Sequence, residues 1–250
     1  MISIRTCGVA AALLLCVSSG ASAQAQAAPT APPEAWTGSV AAGLALTGGN
    51  TSTTTTNFAF TVESDKTKRN VIKAEGLNIR SSRDGDAIVD RTSLQFEDGY
   101  GLTARTYVFG RLQYLRDAFK GVDYLISPTG GLGYRVLDTA LTTLNVDAAI
   151  GLVTEKNPGL VARTAGAVTA GEKASHKISE AAQLTQSLTA LFKMSDLGDS
   201  LVTFQAGLAT SITPRTQLKV DFLDTFKNQP PSILVKKNDT ALIMSFVFKF

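Results

Sequence analysis

Apolar and polar side chains alternate along most of this chain. The clearest case is the last stretch, Asp239 to Phe250. There Thr240, Leu242, Met244, Phe246, Phe248 and Phe250 share one side, and Ala241, Ile243, Ser245, Val247 and Lys249 share the other. Successive residues of a strand point to opposite faces, so one face of this strand is almost wholly apolar and aromatic. At a free chain end of a soluble protein such a face is a sticky edge. It makes sense where the face meets lipid and the edge pairs to close a barrel. The last strand of a soluble sandwich is the competing reading.

The same period recurs upstream, broken by turn residues, and predicts eleven further strands. They run from Trp36 to Thr47, Ser52 to Glu63, Asn70 to Arg80, Ile88 to Gly101, Thr106 to Asp117 and Val122 to Leu137. The series continues with Leu141 to Glu155, Val161 to Gly171, Ser175 to Phe192, Ser200 to Ile212 and Thr216 to Asn228. Gly48-Gly49-Asn50-Thr51 supplies the first tight turn. Three places are less regular. In the third segment Val71, Leu77 and Ile79 share a face with Lys73 and Glu75. Pro128 lies inside the sixth and cannot donate to a ladder. Ser179 to Lys193 also reads as an amphipathic helix, although its Ser and Thr content and an even strand count favour a strand. Twelve strands with both termini in the periplasm put the short links Leu102 to Arg105, Asp138 to Ala140 and Thr213 to Arg215 on the periplasmic side. The longer Ser81 to Ala87, Met194 to Asp199 and Gln229 to Asn238 then face outward. The predicted fold is an all-β, antiparallel, up-and-down transmembrane barrel of about twelve strands.

Composition agrees with this picture. Of 250 residues only 18% are charged, below the roughly 25% usual in soluble domains. The net charge of +3 is too weak for a nucleic-acid protein. No mature stretch is long and apolar enough for a spanning helix. The start of the chain reads as a leader: Arg5, an apolar run from Val9 to Val17, and the cleavage site Ala21-Ser22-Ala23, leaving Gln24 first. Residues 24–35, rich in Ala, Gln and Pro, read as a disordered linker. Both cysteines, Cys7 and Cys16, fall in the leader. Lipidation at Cys16 is disfavoured by the bulky Leu15 before it. The mature chain then has no disulfide and no thiol chemistry.

Little in the sequence points to catalysis. His176 is the only histidine, so a Ser-His pair, with Ser175 or Ser179, or a histidine metal site would have to use it. No nucleophile-elbow pattern accompanies it. Gly130-Gly131-Leu132-Gly133 lacks the lysine and the strand-loop-helix context of a phosphate loop and reads as small residues in a crowded strand. Asp84 and Asp86 do not suffice for a calcium site. Lys236-Lys237 suits lipopolysaccharide phosphates or simply a solvated loop. The informative set is the inward one. Glu63, Arg91, Glu97, Arg111, Asp117, Arg135, Asp147, Glu155, Lys219, Asp221 and Lys249, together with Arg80, have mixed sign. They line a narrow aqueous pore or pair across the lumen and plug it.

Several blocks carry a resemblance. They are Trp36-x-Gly38 with Thr47-Gly48-Gly49-Asn50-Thr51; Tyr107-Val-Phe-Gly-Arg-Leu-Gln-Tyr114 with Asp117; Gly131-Leu-Gly-Tyr134; Pro230-Pro231; and Lys236-Lys237-Asn238-Asp239-Thr240 with the final Phe-Val-Phe-Lys-Phe. Together they resemble the YdiY-like family of salt-induced outer-membrane proteins, family 481 of the domains of unknown function, over Trp36 to Phe250. Here the first turn has one glycine more than the family's Thr-Gly-Asn-Thr. The resemblance implies an outer-membrane barrel and offers no catalytic residues. The ending, with Phe246, Phe248 and Phe250, also resembles the signal by which outer-membrane barrels are recognised for insertion.

The expected function is therefore that of a monomeric outer-membrane barrel without enzymatic activity or cofactor, either a narrow channel for small solutes or a structural envelope protein. Its expected partners are outer-membrane lipid, lipopolysaccharide and the barrel-assembly machinery, and not nucleic acid. The alternatives are an outer-membrane hydrolase using His176 and a soluble periplasmic β-protein with a ligand cavity.

Overall fold

The computed structural model describes residues 36–47, 53–65 and 68–250. The expected leader, cleavage site and linker, and the Gly48 to Thr51 turn, lie outside them. The described chain is a closed barrel of twelve antiparallel strands in sequence order, with the last paired to the first. They are β1 (Trp36–Thr47), β2 (Thr53–Ser64), β3 (Asn70–Arg83), β4 (Asp86–Gly101), β5 (Thr106–Asp117), β6 (Val122–Asp138), β7 (Thr142–Lys156), β8 (Arg163–Lys177), β9 (Ala182–Lys193), β10 (Asp196–Ser211), β11 (Thr216–Lys227) and β12 (Asn238–Lys249). Closure leaves no strand edge with unpaired backbone groups, the condition a sheet must meet in hydrocarbon. The helix alternative for Ser179 to Lys193 is overturned, because β9 alternates as a strand and pairs on both sides.

Two ends can be distinguished. The termini end carries the start of β1, the end of β12, the described residues Asp65, Lys68 and Arg69, and the links 102–105, 139–141, 178–181 and 212–215. The loop end carries 84–85, 118–121, 157–162, 194–195 and 228–237. The expected outward loops Ser81 to Ala87 and Met194 to Asp199 shrink to two-residue turns, because the strands run on through their polar residues. Asp84 and Gly85 both take positive φ, as a tight hairpin turn demands. Only 228–237 is a long outward link among these.

Outside and inside follow from the alternation. Leu44, Leu132, Ile150, Leu242 and Met244 are each more than half exposed on the outer wall. Trp36, Tyr100, Tyr134 and Phe250 are exposed on the outer wall near the termini end. Such a wall suits lipid, and such aromatics suit its interface with water. Arg116 pairs on the outer wall with Asp90 at 3.0 Å, close to the loop end. Glu172 and Asp224 also fall on this wall by register, and the described contacts give no reason for either. Arg80, expected inside, lies outside. In β3 the inward residues are Lys73, Glu75, Leu77, Ile79 and Ser81, which face the inward side of β2. The mixed face of that segment is therefore the lumen, where Ile79 packs with Leu223 and Ile243.

Pro128 sits in the middle of β6 without ending it. Pairing with β7 runs to Ile126↔Thr154 and resumes at Thr129↔Gly151. The Leu152 carbonyl, which loses a backbone donor at Pro128, accepts instead from Ser127 Oγ at 2.9 Å. Ser127 is fully buried, so this carbonyl has no water to turn to. Ser127→Ala should therefore destabilise the folded barrel by about 1–3 kcal/mol. In a Pro128→Ala background, where an N–H returns, the same change should cost much less. Urea titrations of the four proteins in micelles check this double-mutant cycle, and equal costs in both backgrounds would rule the substitution idea out.

Candidate functional site: the lumen

The inward alternation of β3 to β11 brings charges of both signs into one narrow space. At its centre is Arg111 of β5. Its Nε donates to Glu97 of β4 at 2.7 Å, and its two terminal nitrogens donate to the two carboxylate oxygens of Asp147 at 3.1 Å each. Asp147 belongs to β7, so the guanidinium reaches across β6. It can do so because β6 presents Gly131 and Gly133 there. A Cβ on Gly133 would collide with the Tyr107 ring, and one on Gly131 with Ala149. The Gly130 to Gly133 run is thus a crowded strand, as expected. The Arg111 guanidinium also lies 4.5 Å from the Phe109 ring centre, and Arg135 stacks over Tyr107 at 5.5 Å. From Glu97 the network runs on through Lys173 at 3.9 Å to Glu75 at 4.0 Å, where Lys73 closes it at 2.6 Å.

A second set of ties spans the loop-end half. Arg91 of β4 pairs with Asp117 at 3.2 Å and donates to Thr225 of β11 at 2.7 Å. Lys227 of β11 reaches Glu155 of β7 at 2.7 Å, and Lys193 of β9 meets the same carboxylate at 2.8 Å. β4 and β5 are neighbours, so Arg91–Asp117 lies along the wall. β4 and β11, and β7 and β11, are not, so the Arg91–Thr225 and Lys227–Glu155 bonds cross the lumen, and Lys193–Glu155 spans β8. Between them Leu115, Val122, Leu125, Val153, Ala167 and Leu191 form a buried apolar cluster. Lys120, in a short 3-10 turn Ala118–Lys120, is 1% exposed; it donates to the Lys236 carbonyl at 2.9 Å and pairs with Asp239 at 3.1 Å. The 228–237 link thereby lies across the loop end as a lid. Gly121 has φ +63° and sits directly under Pro231, where a Cβ would clash with the proline ring.

Below these ties the lumen is open. A cavity of about 890 Å3 runs from the termini-end link Thr139 to Leu141 up to Leu115, Leu125 and Leu191. Its wall on β8 to β11 is rich in hydroxyls and amides, including Gln183, Thr185, Ser187, Thr203 and Gln205. A second cavity of about 310 Å3 lies beneath the lid, between Ile79, Val89, Leu223, Leu234 and Val235.

By register and burial, Glu63, Arg91, Glu97, Arg111, Asp117, Arg135, Asp147, Glu155, Lys219, Asp221 and Lys249 all stand on the inner side. They divide into separate groups: Arg111 with Glu97 and Asp147; Arg91 with Asp117; Glu155 with the lysines; and Lys219, paired with Asp221 at 2.9 Å. Arg135 instead donates to the Ala104 carbonyl at the rim. Lys73, Glu75, Lys120, Lys173, Lys193 and Lys227 are participants that sequence reasoning missed. Phe246, Phe248 and Phe250 are exposed on the outer wall. His176 lies on the outer side at the termini end, with Nδ1 2.8 Å from Thr142 Oγ1. Ser175 points the opposite way, into the cavity. Among the described residues no group of three or more His, Cys, Asp or Glu stands where it would hold a metal ion.

Comparison with solved structures finds barrels of the outer-membrane type. The chain is similar to the COG4313 outer membrane channel from Pseudomonas putida F1, with a TM-score of 0.50 and 13% identity, over 88% of this chain and 97% of that one. It also matches the NanC porin with a TM-score of 0.49 and 9% identity, over 84% and 97% of the two chains. A third match, the translocator domain of the autotransporter NalP from Neisseria meningitidis, has a TM-score of 0.46 and 12% identity, over 86% and 88%. At these identities the likeness is one of fold, and the first of them carries it. No curated protein matches the chain. The sequence profile described as "Protein of unknown function, DUF481" matches residues 40–250, nearly the whole barrel, and the chain belongs to that family.

Proposed function

We propose that this protein is an outer-membrane barrel that works as a narrow, gated channel for small solutes, and that the described state is its closed form. The observation that carries the reading is the one-ended cavity. A lumen built only for stability has no need of about 890 Å3 of space lined by lysines, amides and hydroxyls as well as leucines, and reaching the termini-end link Thr139 to Leu141. The seal at the other end consists of a lid, a few cross-lumen ties and the apolar cluster between them, none of which belongs to the backbone ladder of the wall. An apolar outer wall and no edge support residence in a bilayer. The termini end then faces the periplasm, as in bacterial barrels with an even strand number.

The test is conductance in a planar bilayer. The wild type should open rarely and to small steps. A variant whose 229–236 lid is replaced by a short glycine link, combined with Lys227→Ala, should open more often and for longer. The apolar cluster around Leu115 and Val153 favours a second reading, a purely structural barrel. If neither protein gives steps above background, although both are folded, the structural reading stands and the channel is gone.

A further inference from the structure

The charges that reach the open cavity differ from those of the lumen as a whole. Five cationic side chains line it: Lys173, Lys177 and Lys219, together with Lys73, which is held on Glu75, and Arg91, which is held on Asp117. Only two carboxylates do, Glu63 and Glu75. The other acids are turned away from the space. Glu97 and Asp147 are held on Arg111, and Asp117 on Arg91. Asp221 takes Lys219 and the Gln205 amide, and its side chain is 8% exposed against 29% for the lysine. Lys173 stands 3.9 and 4.0 Å from its two carboxylates, beyond hydrogen-bond length, with a third of its side chain exposed. The uncharged polar part of the wall is amide and hydroxyl, groups that donate hydrogen bonds as readily as they accept them, and apolar side chains such as Leu115, Leu125 and Leu191 make up the rest. We infer that the cavity is a binding vestibule for small anionic solutes, centred on Lys173 and Lys219, and that it makes the channel anion-selective. The second half of this statement rests on the channel reading above; the first half does not.

The physical basis is simple. In a narrow space with low-dielectric walls, an excess of one charge sign raises the local concentration of the opposite ion. Cations with exposed protons bind an anion directly, whereas carboxylates already engaged by guanidinium do not repel it at contact range. Lys177 at the mouth, with Arg105 and Arg215 on links of the same end, extends the positive field outward.

Two measurements separate the halves. The first is the reversal potential of the lid-shortened variant across a KCl gradient. It should lie towards the chloride potential, with chloride favoured over potassium by about threefold or more. Lys173→Gln with Lys219→Gln should bring it close to zero. A reversal potential on the potassium side in the parent overturns the selectivity. The second needs no open pore and uses the wild type. Inorganic phosphate should protect Lys173 and Lys219 from acylation by a small amine reagent, read by mass spectrometry, while Lys236 and Lys237 on the lid stay reactive. Protection without conductance would leave the anion site standing and sink the channel. Equal labelling with and without phosphate overturns the site, whatever the conductance. Heat-modifiable migration of each variant on a gel confirms that it is folded.

Discussion

Replacing Arg111 by methionine is expected to cost the folded barrel about 3–5 kcal/mol, a large share of the roughly 5–15 kcal/mol by which folded proteins are ordinarily stable. The side chain is 3% exposed, and its two partners are 15% and 4% exposed. Methionine fills much of the volume and keeps contact with Phe109, so the loss is electrostatic. It leaves Glu97 of β4 and Asp147 of β7 facing each other across β5 and β6 with no guanidinium between them. A buried charge that has lost its partner keeps its whole desolvation penalty, while an intact pair has most of it offset. Lys173, 3.9 Å from Glu97, covers only one of the two. The triple variant Arg111→Met, Glu97→Gln, Asp147→Asn removes the charges together and should regain most of the stability. Urea midpoints of the two variants in micelles decide the matter. If Arg111→Met alone matches the wild type, the network is not what holds β4, β5 and β7 together.

The wall of this barrel was legible in the sequence because lipid imposes a strict period of two. β1 and β5 have the predicted bounds, and the inner and outer faces of β12 fall as read. The interior was legible only in part, since inward positions obey no polarity rule. In β3 the apolar Leu77 and Ile79 were in doubt because an apolar residue suggests lipid, yet they pack inside on Leu223 and Ile243. The opposite error put Arg80 inside. Lys173 was missed because its strand was ended at Gly171, whereas β8 continues to Lys177. Lys227 has the same parity as Lys219 and Asp221 and falls within the predicted strand Thr216 to Asn228, so the signal was present and went unused. Partners across the lumen are a different matter. That Lys227 meets Glu155 depends on barrel size and strand tilt, which no single strand encodes.

The site has the same division. One sequence cannot say how mixed inward charges are arranged across a lumen, and the structure arranges them differently at its two ends. Near the lid, lysines and arginines are spent on cross-lumen ties. Towards the termini the acids are tied down and the lysines face water. An open cavity and a tied layer are therefore stacked in the same barrel, and on the channel reading proposed above a gate acts on the loop-end layer.

Removing the last three residues, Phe248 to Phe250, should prevent the folded barrel from forming at all. The seam between β1 and β12 has four register pairs, Ser39↔Lys249, Val40↔Phe248, Ala41↔Val247 and Ala42↔Phe246. Every other seam has eleven to fourteen. Gly38 and Phe250 add a reciprocal pair of backbone bonds at 2.9 and 3.0 Å. Above Ala42 the ladder gives way to a side chain: Asn57 of β2 donates to the Met244 carbonyl at 3.2 Å and accepts from Ser245 at 2.7 Å. It passes over Gly43, where a Cβ would block it. The truncation deletes two of the four pairs and both Gly38 bonds, exposing β1 backbone groups that cost several kcal/mol each in hydrocarbon. The folded, heat-modifiable band should be absent after refolding into lipid. Phe250→Ala keeps the backbone and should refold normally in vitro. If the terminal phenylalanine is also an insertion signal, that same variant should accumulate outside the outer membrane in cells. Normal levels in the membrane would restrict the role of Phe250 to covering Gly38, and a truncated chain that still folds would show that the seam closes without its last pairs.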